Sequence, residues 1–140
     1  MIYWNSPNLP LQNFLCLDLG TKKTGIAHNF QINSIATPHK TIETQCVLAE
    51  MITLQKNHFS YVVIGIPMAY PESESHQFIE NFVHYLQEQL PEMNFIFWDE
   101  SHTSQMVREQ HKHGRKGFSK KFHKNYDSKV AALILSSFLV

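Results

Sequence analysis

The chain has 140 residues, with 12 Lys and Arg balancing 12 Asp and Glu, and 43% of it is apolar. That composition excludes a disordered tail and a coiled coil, and it suffices for one domain with a proper core. No apolar run approaches the roughly 20 residues of a membrane-spanning helix, so no membrane partner is expected.

Residues 1–13, MIYWNSPNLPLQN, hold prolines and polar residues and no basic start, so they do not read as a signal peptide. They read as an N-terminal extension, packed by Tyr3 and Trp4, ahead of a single domain over 14–140. Phe14 to Leu19 is a short apolar run ended by Gly20, which predicts a strand. Lys23 to Asn29 and Ile32 to Thr37 are further β-like runs, giving a three-strand meander that Pro38 ends. Between Thr41 and Lys56 the apolar spacing changes to three and four residues, the period of a helix. Tyr61 to Ile66, YVVIGI, is β-branched and apolar on both faces, as a buried parallel strand is. A helix opened by Ser73 or Ser75 runs to Pro91, and Asn94 to Trp98 gives a last strand. Ser101 to Lys112 reads as helix, His113 to Lys124 as loop, and Asp127 to Leu139 as a final helix. The fold class is therefore α/β: a five-stranded mixed sheet, antiparallel meander then parallel strands, with helices on both faces.

The acids fall at the ends of these elements. Asp18 lies at the end of the first strand, Asp99 and Glu100 at the end of the last, and Asp127 at the start of the final helix. If the strands carrying Asp18 and Asp99-Glu100 run parallel, their carboxyl ends share the edge where α/β folds place their sites. Clustered carboxylates repel unless a cation lies between them, and Mg²⁺ suits few carboxylates plus substrate phosphates. Two such ions can drive phosphodiester hydrolysis. Neighbours in a strand point to opposite sides, so only one of Asp99 and Glu100 can be central, the other being solvated or a helix cap. Two blander readings stand beside these: Asp18 bonding the turn at Gly20 or Thr21, and Asp127 serving as an N-cap.

The net charge of zero hides an asymmetry. Residues 110–126 contain six of the 12 Lys and Arg and no acid, so the remainder carries a net −6. In that arm, Arg115, Lys116, Lys120 and Lys121 alternate with Phe118 and Phe122, which suits phosphate contacts and base stacking. A solvated loop, with His111 and His113 as ordinary surface, is the other reading. Cys16 and Cys46 belong to no metal spacing, and they are expected as reduced core or near-core thiols in a cytoplasmic protein.

DLGTKKTGIA closely resembles the D-x-G-T-K-x-x-G-V-A opening of the YqgF/RuvX family. These RNase H-like proteins are described both as Holliday junction resolvases and as nucleases that mature pre-16S rRNA. VVIGIP is similar to the family's Gly-Leu-Pro strand, WDESHTS to its D-E-R-L-T-T, and DSKVAALILSSFL to its last helix. The resemblance runs in order from Phe14 to Leu139. It implies a metal-dependent endonuclease in which Asp18, Glu100 or Asp99, and Asp127 ligate Mg²⁺ or Mn²⁺, with two ions on substrate. It further implies that Gly20, Thr21 and Lys22 meet substrate at the turn and that Thr103 and Ser104 support the site. The expected partner is nucleic acid, as pre-rRNA or branched DNA, with ribosomal precursor particles possible and the chain a monomer or homodimer. Ser101 and His102 replace the family's Arg and Leu, and MAYPESESH replaces its Asp-Gly-Ser loop. Those departures motivate an alternative, an RNA-binding or ribosome-assembly module that does not cut. An actin-like ATPase also starts from D-x-G-T, but it needs two such domains.

Overall fold

Alternation of apolar and polar residues builds the sheet, and the parity of each residue decides which layer it serves. In the computed structural model, which describes residues 1–5, 7–101 and 126–140, the elements are β1 (Ile2–Tyr3), β2 (Phe14–Leu19), β3 (Lys23–His28), β4 (Thr37–Glu43), α1 (Val47–Leu54), β5 (Tyr61–Ile66), α2 (Glu74–Gln89), β6 (Asn94–Asp99) and α3 (Tyr126–Leu139). The helix read after Ser101 and the basic loop that follows lie outside the described residues. None of the described helices is long and apolar enough to cross a membrane.

The sheet has six strands in the order β1-β6-β5-β2-β3-β4, one more than the five expected. The sixth is β1, which pairs in parallel with β6 through Ile2 and Tyr3. Two residues are too few to show any periodicity, so only tertiary contact reveals this strand. Trp4 seals it by packing on Phe97, with ring centroids 4.3 Å apart. Otherwise the arrangement is as expected: β2, β3 and β4 form the antiparallel meander, while β5 and β6 run parallel to β2.

The third strand of the meander lies later than the sequence suggested. Ile32 to Ala36 is turn and coil, because the buried Asn29 holds it: Asn29 Nδ2 donates to the carbonyls of Gln12 and Asn33, and Asn29 Oδ1 accepts from Phe14 N at 2.6 Å. The strand is Thr37–Glu43 instead, with Pro38 inside it. An edge strand tolerates proline because its outer N–H has no ladder partner to lose, and the register shifts between Ile26 and Ala27 opposite it.

Helices cover both faces. Leu15, Leu17, Ile26, Val62, Ile64, Phe95 and Phe97 point towards α1 and α2. Phe14, Cys16, Ala27 and Val63 point towards α3, meeting Val130, Ala131, Ile134 and Leu135. α2 starts where Ser73 accepts the His76 backbone N–H, a side-chain cap with Glu74 in the first turn. The segment after Pro67 therefore forms a turn and a cap, with Tyr70 N donating to the Pro67 carbonyl at 3.1 Å. Cys16 is buried as expected, but Cys46 is exposed, because it precedes the inward stripe of Val47, Met51 and Leu54.

α3 rests on β3 at a glycine. A Cβ on Gly25 would run into the carbonyl of Asp127 and reach within 2.6 Å of Ser128 N. The helix start is also tied to β4, where Ser128 N donates to Thr41 Oγ1 at 3.2 Å. Gly25→Ala must push the helix off the sheet, since backbone cannot yield as a side-chain tip can. We expect a loss of at least about 3 kcal/mol, the upper part of the overpacking range, read as a lower urea midpoint.

Candidate functional site

Asp18 and Glu100 share a sheet face by parity. Asp18 has the parity of Phe14 and Cys16, so its side chain faces α3, whereas Leu17 and Leu19 face the other way. Glu100 follows Trp98 by two residues and falls on the same face. Its Oε2 lies 3.2 Å from where a Cβ on Gly65 would stand. Leu17 pairs with Ile64, so Gly65 is the next residue beside Asp18 on one side, while Gly25 pairs with Asp18 on the other. Two glycines thus flank the carboxylate and leave room above the sheet for Glu100 and the start of α3.

The electrostatics follow from this placement. Burial pushes the Asp18 carboxyl up to about 8, and Glu100 and then Asp127 add to the rise. Burial, then Asp18 and Glu100, raise the Cys16 thiol as well. Burial also raises Asp127, while Lys23 opposes that rise. Lys23 is a charged neighbour the sequence reading passed over in favour of Lys22. Among the described residues, no group of three or more His, Cys, Asp or Glu side chains stands close enough to hold a metal ion. The chemistry of the donors is nonetheless that of a hard divalent cation: carboxylate oxygens from three elements, each acid only partly exposed.

Asp99 takes a different part. It is exposed on the opposite side, and its Oδ1 accepts from Ser101 N at 3.1 Å and Ser101 Oγ at 2.7 Å. Of the neighbouring acids, Glu100 is the one beside Asp18.

The turn after β2 is held from beneath. Gly20 N donates to the Lys23 carbonyl at 3.0 Å, and a Cβ on Gly20 would lie 2.5 Å from that oxygen. Thr44 Oγ1 donates to the Gly20 carbonyl at 2.6 Å and Thr44 N to the Lys22 carbonyl at 2.9 Å. Thr21 and Lys22 are exposed at this turn, on the rim of the acidic face. Thr103, Ser104, Arg115, Lys116, Lys120 and Lys121 lie outside the described residues. Thr44 and Thr41 carried no signal in the sequence, since a single threonine within or just after a strand matches no pattern.

Residues 12–140 match the family described as RuvX: Holliday junction resolvase. The chain belongs to the RuvX family. Among its relatives are two named "Putative pre-16S rRNA nuclease". One, from Phocaeicola vulgatus, is 30% identical over 135 residues, covering 92% of this chain and 96% of that one. The other, from Chlamydia abortus, is 34% identical over 137 residues, covering 90% and 89%. The crystal structure of the yeast mitochondrial Holliday junction resolvase Ydc2 aligns with 96% of this chain and 80% of its own. Its TM-score is 0.49 at 16% identity, too distant a likeness to build on. Family and relatives alike mark the RuvX chain as a nuclease, an enzyme of phosphodiester hydrolysis.

The raised Asp18 carboxyl sets a pH dependence. Below about pH 4 Asp18 holds its proton both folded and unfolded, so it exerts no penalty. Between that pH and about 8 the unfolded chain ionises while the fold retains the proton, so stability falls as pH rises. In chelator-treated protein, raising the pH from 5 to 8.5 should lower stability by on the order of a few kcal/mol. Asp18→Asn, isosteric with the protonated acid, should remove most of that loss, as urea midpoints at the two pH values will show.

Proposed function

We propose that this RuvX protein is a divalent-metal-dependent endonuclease that trims structured RNA at the 5′ end of pre-16S rRNA. The observation that supports the reading best is the placement of Asp18, Glu100 and Asp127 on one face of the sheet, where burial, then Glu100 and Asp127, raise the Asp18 carboxyl. Asp18, Glu100 and Asp127 would hold Mg²⁺ or Mn²⁺, drawing together as the cation replaces their repulsion by attraction. A bound pair of ions would supply charge stabilisation to the phosphodiester and activate water. The chain's own residues set the geometry. Asp18 is fixed in the middle of the sheet, Glu100 is aimed across Gly65, and Asp127 is carried in on α3. Lys23 moderates the negative charge at Asp127. Asp99 holds Ser101 and takes no direct part.

Gly20, Thr21 and Lys22 contact the substrate backbone at the turn, and Thr103 and Ser104 support it from beyond Glu100. The arm with Arg115, Lys116, Lys120 and Lys121 draws in phosphates by charge, offsetting the repulsion between nucleic acid and a body of net −6. One domain over 14–140 carries all of this, acting in the cytoplasm on ribosomal precursor particles. RNA is preferred over a DNA junction because the relatives over most of the chain are named for pre-16S rRNA.

Purified protein with Mg²⁺ or Mn²⁺, given a pre-rRNA end and a four-way DNA junction side by side, provides the test. Cleavage of the RNA is expected, and Asp18→Asn should reduce it by at least about a hundredfold while binding survives. Preferential junction cutting would replace the RNA assignment, and binding without cleavage at any metal concentration would make the protein a non-cutting module.

The arm has its own test. Neutralising Arg115, Lys116, Lys120 and Lys121 should weaken binding to all sequences and flatten its salt dependence by roughly 0.7–0.9 log unit per lost contact. An unchanged slope removes the arm from the interface.

A further inference from the structure

Thr44 stands outside the acidic cluster, yet it grips the turn beside it. It is 5% exposed and sits at the end of β4, where it opens a short 3₁₀ turn over Thr44–Cys46. Its side chain donates to the Gly20 carbonyl at 2.6 Å and lies 2.9 Å from Thr24 Oγ1, which is wholly buried. A hydroxyl has one proton. With that of Thr44 committed to the Gly20 carbonyl, the Thr24 hydroxyl must be the donor between the two threonines. The Thr44 backbone N–H takes the Lys22 carbonyl as well. One residue therefore holds two carbonyls of the turn and points both inward.

The consequence lies on the other side of those peptides. No peptide bond in the described chain is cis, and a trans peptide directs its N–H opposite to its C=O. With the Gly20 carbonyl bound to Thr44, the following N–H, that of Thr21, is turned away from the interior at an exposed residue. Gly20 is itself tied in place, since its N–H is bonded to the Lys23 carbonyl, which also fills the space where a Cβ would stand.

We propose that Thr44 is a positioning residue for nucleic-acid binding: its hydroxyl, supported by Thr24, fixes the Gly20–Thr21 peptide so that the Thr21 N–H donates to a phosphate oxygen of the bound strand. The inference rests on the nuclease reading for its choice of ligand. It adds that the turn recognises phosphate through the backbone, which makes the contact independent of base sequence.

The test uses full-length protein carrying Asp18→Asn, so that RNA binds without being cut. Amide shifts are followed by NMR during titration with a short structured RNA, and affinity is measured in the same series. The Thr21 amide should shift on binding, and Thr44→Val should abolish the shift and weaken affinity about tenfold. Thr44→Ser, which keeps the hydroxyl, should restore both. Thr44→Ala is carried in parallel, because the Val methyl beside the Gly20 carbonyl could unfold the chain. Undiminished RNA affinity in a folded Val or Ala variant overturns the proposal, as does a Thr21 amide that ignores bound RNA. Wild-type protein that binds RNA through Thr21 but never cuts with metal would overturn the nuclease reading and leave this inference standing.

Discussion

Backbone meets backbone where the first turn of α3 presses against β3 at Gly25. No side chain would fit between them at that point. That nearness brings Asp127 over Asp18, and the bond from Ser128 N to Thr41 fixes the rotation of the helix about the contact. Gly65 does the same for Glu100 on the far side of Asp18. The acidic face is therefore a product of missing Cβ atoms as much as of the acids themselves. Burial in that packed face raises the Asp18 carboxyl, and Glu100 and Asp127 add to the rise.

Such crowding is what the proposed cation would offset. Like charges brought to one buried face favour protonation, and a fold selected for stability alone would separate them. Here the sheet does the reverse, placing Asp18 at its centre, where β3 pairs on one side and β5 on the other. The same edge carries the Gly20–Lys23 turn, which follows directly on the strand that bears Asp18. Two of the departures from the family pattern, Ser101 and the loop after Pro67, have partners of their own among the described residues. Ser101 folds back on Asp99, and the loop after Pro67 closes into a turn that caps α2.

Much of this arrangement was legible in the sequence, because its signals were local. Strand parity in FLCLDL and NFIFWD set the faces, and the capping serine, the β-branched run of β5 and the stripe of α3 set the elements. What parity could not settle was which of Asp99 and Glu100 belongs with Asp18. That required the register of β6 against β5, a tertiary fact. The other misses share this cause. Ile32 to Ala36 looks extended until the buried Asn29 is seen to hold it in a turn, and TPHKTIE looks like a break until it proves to be an edge. Ile2–Tyr3 has no pattern at all. Thr41, Thr44 and Lys23 act through partners far away in the chain, and no short motif announces them.

The two cysteines have been left in very different surroundings, with a practical outcome. Burial and the neighbouring carboxylates hold the Cys16 thiol in its protonated, unreactive form, whereas Cys46 is open to solvent two residues after Thr44. A maleimide dye would therefore tag one position, close to the turn clamp, without any engineered cysteine. Movement of that turn when a strand arrives could then be followed by fluorescence in the otherwise native chain.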